Sequence, residues 1–265
     1  MTAEKISEFR KKLENIILRY YRLRRAGGKV LAFPSGKGGV GKTTVVVNLA
    51  CALALRGKSV LVMDLNFALP NVHMYLDEEP ELTLTHYLNG EAKISQIMGK
   101  ATLKDVEFYI IPTRSIVDLQ KKVDVERLGS VIEYFKSQFD YILLDLAPGL
   151  SKYVVYPLRY SDHVFIVTAD VKPAYIDAMK VLKLISSMGC PHEGFIINLA
   201  ESEELNYFKH MGVFGVIPYD EHLKKASQTG RTIFHVRFSG ILSPSRKIFA
   251  KMADRIIVSF RPENG

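Results

Sequence analysis

Ser35-Gly36-Lys37-Gly38-Gly39-Val40-Gly41-Lys42-Thr43-Thr44 decides the reading of the chain, because it meets the spacing G-x-x-x-x-G-K-[ST] at Gly36, Gly41, Lys42 and Thr43. Without β-carbons at the glycines, successive backbone N–H groups curl around phosphate oxygens, and the N-terminus of the following helix adds partial positive charge. Lys42 is expected to reach the β and γ phosphates and the Thr43 hydroxyl to bind Mg²⁺, while Gly38, Gly39, Val40 and Thr44 complete the cradle. The motif demands a strand ahead of it and a helix behind it. Lys29 to Pro34 reads as that strand, and Thr44 to Ala54, poor in breakers, as that helix.

Outward from this loop the pattern repeats. Ser59 to Asp64 is a continuous apolar run ending in an acid, as suits a parallel strand buried on both faces. Further strands are expected at Glu107 to Pro112, His163 to Thr168, Gly194 to Asn198 and Val213 to Ile217, with helices at Val125 to Phe135 and Ala174 to Met188. Tyr141-Ile-Leu-Leu-Asp145 ends a strand in a carboxylate, the Walker B arrangement in which Asp145 meets Mg²⁺ or its water. The alternation predicts an α/β fold, a doubly wound and mostly parallel sheet with helices on both faces and nucleotide at the strands' C-terminal ends.

At 265 residues the chain suits one domain with an appendage, an arm over 1–27 and a P-loop domain over 28–265. No apolar run approaches the ~20 residues of a transmembrane helix, and the charged N-terminus lacks a signal-peptide core, so a cytoplasmic protein is expected. Cys51 and Cys190 lie far apart without C-x-x-C spacing, which argues against a disulfide framework or an iron–sulfur site. His73 and His86 have no partner at ligand spacing and read as ordinary polar residues.

The formal charge of +8 suits anionic partners. Residues 1–27 carry eight basic against three acidic side chains, with Ile6, Phe9, Leu13, Ile16, Ile17, Tyr20 and Leu23 at helical spacing. The sequence leaves three fates open for this amphipathic helix: its own domain, a partner protein, or a membrane or nucleic acid. The last helix, Pro244 to about Phe260, is amphipathic too; packing that closes the sheet is the favoured expectation, a membrane surface the alternative.

Lys37-Gly-Gly-Val-Gly-Lys-Thr-Thr44 resembles the deviant Walker A motif of the MinD/ParA family of dimerising ATPases. The resemblance covers roughly residues 29 to 258 and implies ATP or ADP with Mg²⁺ as ligands, a homodimer in the ATP state, a protein partner, and peripheral recruitment to the inner face of the cell membrane as an open possibility. It implies that Lys37 crosses the dimer interface to the nucleotide held by the partner subunit. It also implies that Gly149, in Leu146-Ala-Pro-Gly149, offers its N–H to the γ-phosphate, that Asn198 reads adenine, and that Pro218 and Tyr219 form the base-side loop. A turn asparagine after a strand is the plainer reading of Asn198.

Pro218 to Arg231 is similar to the FlhG/FleN branch, which regulates flagellar number and position, although that branch's D-Q-A-x-x-L-R motif is absent and Glu8 to Leu13 is only a loose echo. Asp64-Leu65-Asn66 departs from the family's D-x-D, whose second carboxylate orients the attacking water. An amide carries no charge and accepts no proton, a contribution of roughly 10² to 10⁴ in rate for a positioned base. Slow hydrolysis is therefore expected, with a non-hydrolysing ATP-binding scaffold and a ParA-like DNA binder as alternatives. Asn66 is either a feature of a chain tuned to hold ATP or a substitution that traps the ATP state.

Overall fold

The structure is a computed structural model and describes residues 27–78, 80–103, 105–116, 123–236 and 243–262. The arm up to residue 26, expected to be helical, lies outside the described residues. β1 (Lys29–Ser35) enters the sheet at its centre and is followed by the phosphate loop and α1 (Lys42–Ala54). β2 (Val60–Leu65), α2 (Leu84–Leu88), β3 (Gly99–Leu103), β4 (Val106–Ile111), α3 (Leu128–Lys136) and β5 (Tyr141–Pro148) build one half. The other half is α4 (Lys152–Leu158), β6 (His163–Thr168), α5 (Lys172–Ser187), β7 (His192–Ala200), β8 (Val213–Pro218), α6 (Glu221–Gln228) and α7 (Pro244–Ser259).

Among the described residues one eight-stranded sheet runs β3-β4-β2-β5-β1-β6-β7-β8. Every neighbouring pair is parallel except β3 with β4. The period of two along each strand feeds two apolar layers: Leu31 and Phe33 face α1 and α7, while Val30 and Ala32 face α3, α4 and α5. Strand order reverses around β1, so the crevice above its C-terminal end is where a doubly wound sheet receives ligands.

α1 is buried at every position from Val45 to Ala54, because the sheet covers one side and α7 the other. Phe249, Met252, Ala253 and Ile256 of α7 are buried on that face, and Arg56 clamps Asp254 with hydrogen bonds of 2.5 and 2.9 Å. The last helix thus closes the sheet, with its apolar side committed to the core. No helix among the described residues is long and apolar enough to cross a membrane.

Three elements differ from expectation. The stretch Lys152-Tyr-Val-Val-Tyr-Pro-Leu158 has β-branched residues and an internal proline, yet forms α4, because Val154 and Leu158 bury against the sheet. β3 is a short antiparallel edge strand that buries only Ala101 and Leu103, too weak a pattern to stand out. α2 is a five-residue helix started by Thr83, whose backbone N–H and hydroxyl both meet His86 Nδ1 at 3.1 and 3.0 Å, so His86 is a capping residue.

Candidate functional site

β1 delivers Gly36 to Gly41 to the centre of the sheet's C-terminal edge. Gly39 and Gly41 adopt φ of 81° and 75°, the left-handed region open to glycine, and Gly41 is also the N-cap of α1. A glycine cap supplies no side-chain acceptor, so the first N–H groups of α1 stay free for an anion. Lys37 to Thr44 line a cavity of about 400 Å³, within the range of small-molecule sites. Lys37 and Gly38 are exposed, whereas Lys42 is 7% exposed at the floor.

Below the loop the structure brings Lys42, Thr43 and Asp145 together. The Lys42 ammonium donates to Asp145 Oδ1, and the Thr43 hydroxyl donates to Asp145 Oδ2 at 2.6 Å. Asp64 stands directly beside Asp145 on the paired strand. Burial first, and the Asp145 charge second, push the Asp64 carboxyl up to about 7, against the opposing backbone N–H groups and Lys42. No cluster of three His, Cys, Asp or Glu that could hold a metal exists among the described residues. A hydroxyl with one or two carboxylates is the sparse oxygen set that Mg²⁺ accepts when phosphate and water complete its shell. Cys51 is buried and its thiol pushed up to about 11 by that burial, so it takes no part.

The loop after β2 forms the cavity's second wall. Asp64 accepts from the N–H groups of Asn66, Asn71 and Val72, each at 3.0 Å. Asn66 lines the cavity, but its amide is engaged at both ends: Nδ2 donates to Leu69 O at 2.6 Å and Oδ1 accepts from Leu69 N at 3.3 Å. This leaves Leu69 73% exposed at the rim.

Gly149 has φ of 87°, and its N–H donates to Ser35 O at 2.9 Å, while the neighbouring Pro148 lines the cavity. Asn198, Pro218 and Tyr219, expected on the base side, are not in the cavity lining. Asn198 is 2% exposed beneath the loop, its Nδ2 donating to Val40 O at 2.9 Å. Pro218 ends β8 opposite Ala200, and Tyr219 is 48% exposed with its hydroxyl shared between Glu221 and Lys224.

Sequence reasoning missed Ser35, Asn71, Tyr75, Ser227 and Gln228, all of which line the cavity. Tyr75 joins three distant segments, since its hydroxyl meets both Thr44 and Ser227. The buried Ser35 hydroxyl has no partner among the described residues. Nothing in the local pattern singles out these positions; only Ser35, next to the first glycine, was marked by its place.

A doubly wound sheet with a phosphate-binding loop at its switch point defines a P-loop nucleotide-binding protein. A family model described as an AAA domain matches residues 28–188. The antiactivator FleN of Pseudomonas aeruginosa is 30% identical over 226 residues, covering 78% of this chain and 79% of that one. The septum site-determining protein MinD of Pyrococcus horikoshii, solved complexed with Mg-ADP, is 26% identical with a TM-score of 0.77, covering 89% of this chain and 100% of the other. The MinC:MinD cell division protein complex of Aquifex aeolicus matches at 25% identity and a TM-score of 0.73, over 90% of this chain and 99% of that one. The chain belongs to this AAA-domain family and, within it, to the MinD/ParA group of P-loop ATPases.

Proposed function

We propose that the chain is an ATP-dependent switch that binds Mg-ATP, closes into a homodimer around it and hydrolyses it slowly, acting in the placement or number control of a structure such as a flagellum or division site. The observation that carries this reading is one cavity lined by the glycine loop and the uncapped start of α1, with Lys42 and Thr43 joined on Asp145 beneath it. Lys42 would hold the terminal phosphates, and Thr43 and Asp145 would hold Mg²⁺, with Asp64 beside them. When bound, Mg²⁺ supplies positive charge that neutralises the β and γ oxygens. Gly149, whose N–H rests on the Ser35 carbonyl, is the group to turn toward a terminal phosphate. Asn198, Pro218 and Tyr219 remain the residues proposed for the adenine side.

Lys37 is exposed at the mouth of the same cavity, where a second chain would meet it, and Leu69 supplies an apolar edge there. The FleN relative and the MinC:MinD complex support a protein partner. Slow turnover follows from Asn66, whose amide is spent on Leu69 and carries no base. Sedimentation with ATP and Mg²⁺ tests the switch. The wild type should shift from monomer to dimer with ATP and not with ADP, and Lys37→Ala should keep ATP binding yet stay monomeric. A Lys37→Ala chain that dimerises as well as wild type would remove Lys37 from the interface.

A further inference from the structure

The strongest unexplained feature lies at the end of β7, one residue after the side chain that meets the phosphate loop. Leu199 has φ of 57°, the only non-glycine residue with positive φ among the described residues. It sits where the register of β7 against β8 breaks between Ile197 and Ala200. Pairing resumes at once, with Ala200 opposite Pro218 and Tyr219 N donating to Ala200 O at 2.9 Å. A backbone strain of this kind persists only where its surroundings over-determine it. Its effect is local: the kink follows Asn198, which is 2% exposed and reaches across 158 residues of sequence to Val40 O.

We infer that Asn198 is a positioning residue for the phosphate cradle, holding the Val40–Gly41 peptide from below. The inference rests on the nucleotide-binding reading above. A carbonyl only accepts, so the amide must present its NH₂ to Val40, and the orientation of Asn198 is settled by chemistry. The peptide is planar and trans, so the Gly41 N–H points opposite to the Val40 carbonyl. Fixing that carbonyl downward onto Asn198 therefore fixes the Gly41 N–H on the opposite side, and Gly41 lines the cavity. Contact is tight from the other direction as well, because a β-carbon at Gly41 would run into Asn198 Nδ2. Asn198 Oδ1 is buried without a partner among the described residues, so the brace uses the donor and leaves the acceptor to the base-side role proposed above.

The test separates a role on the loop from a role on the base, using inorganic tripolyphosphate, which has no base, beside ATP. In the full-length chain with Mg²⁺, Asn198→Ala and Asn198→Leu should each weaken tripolyphosphate by about tenfold for a lost hydrogen bond at a binding loop, and ATP by at least as much. The amides of residues 38–42 should exchange faster with solvent in the nucleotide-free variants. Asn198→Leu keeps the shape and removes the donor without adding a charge beneath an anion site, so it carries the test if the alanine variant unfolds. Tripolyphosphate bound as by wild type while ATP weakens would leave Asn198 on the base alone and overturn the inference, as would unchanged affinity for both. Wild-type chain that binds neither ligand would instead sink the nucleotide reading itself.

Discussion

The loops that leave β1 and β2 stand at the same end of the sheet with one strand between them, and they are built on opposite principles. The first carries positive-φ glycines, has no side-chain cap and turns unspent donors into the cavity. The second spends its polar groups on itself, with the Asp64 carboxylate on three backbone N–H groups and the Asn66 amide on Leu69. A binding surface is made of groups the fold leaves unsatisfied, and a wall is made of groups it satisfies. The difference teaches that Asn66, although it lines the cavity, belongs to the wall.

The largest effect should come from breaking the receptive loop. Lys42→Met removes its buried cation and should weaken Mg-ATP binding by roughly 100-fold or more, read by calorimetric titration. Retained affinity would mean that the loop's amides suffice. A smaller and more revealing effect should follow Asn66→Asp. The carboxylate cannot donate to Leu69 O, so unfolding free energy should fall by about 1 kcal/mol while the freed acid raises phosphate release on the order of tenfold. Release unchanged in that variant would break the account of residue 66.

The smallest effect is one of pH. The folded chain keeps a proton on Asp64 up to about 7, whereas the unfolded chain releases it near the ordinary value of 3.8. Between those values the native state binds more protons, so stability should fall as pH rises through this window, on the order of 1 kcal/mol between pH 6 and 7. Chemical denaturation at the two pH values without nucleotide reads it. An Asp64→Asn chain that keeps the same slope would assign the titration elsewhere.

Much of the receptive loop was legible because its chemistry is local. Gly36, Gly41, Lys42 and Thr43 sit at set spacings on a strand–loop–helix unit, and Asp145 closes an apolar run that reads as a buried strand. The strands from β4 to β8 were legible for the same reason, their apolar runs being long enough to show. The wall was not. Tyr75 meets Thr44 from 31 positions away and Ser227 from 152, in ordinary sequence surroundings, and nothing in the sequence shows that Leu69 engages the Asn66 amide. α4 was illegible because Tyr153-Val-Val-Tyr-Pro157 prefers other structure, and burial overrides that preference.

By itself the sequence determined that this chain is an α/β protein with a glycine-rich loop of phosphate-binding spacing, a hydroxyl beside its lysine, an acid at a strand end and an amide at position 66. Only the tertiary structure decided where the amides go: Asn66 onto Leu69, and Asn198 onto the Val40 carbonyl. It also decided that α7 covers α1 with its apolar side. The physical reason is that a motif's spacing is set by backbone geometry within a few residues, whereas a side chain's partner is chosen by whichever distant segment packing brings within about 3 Å.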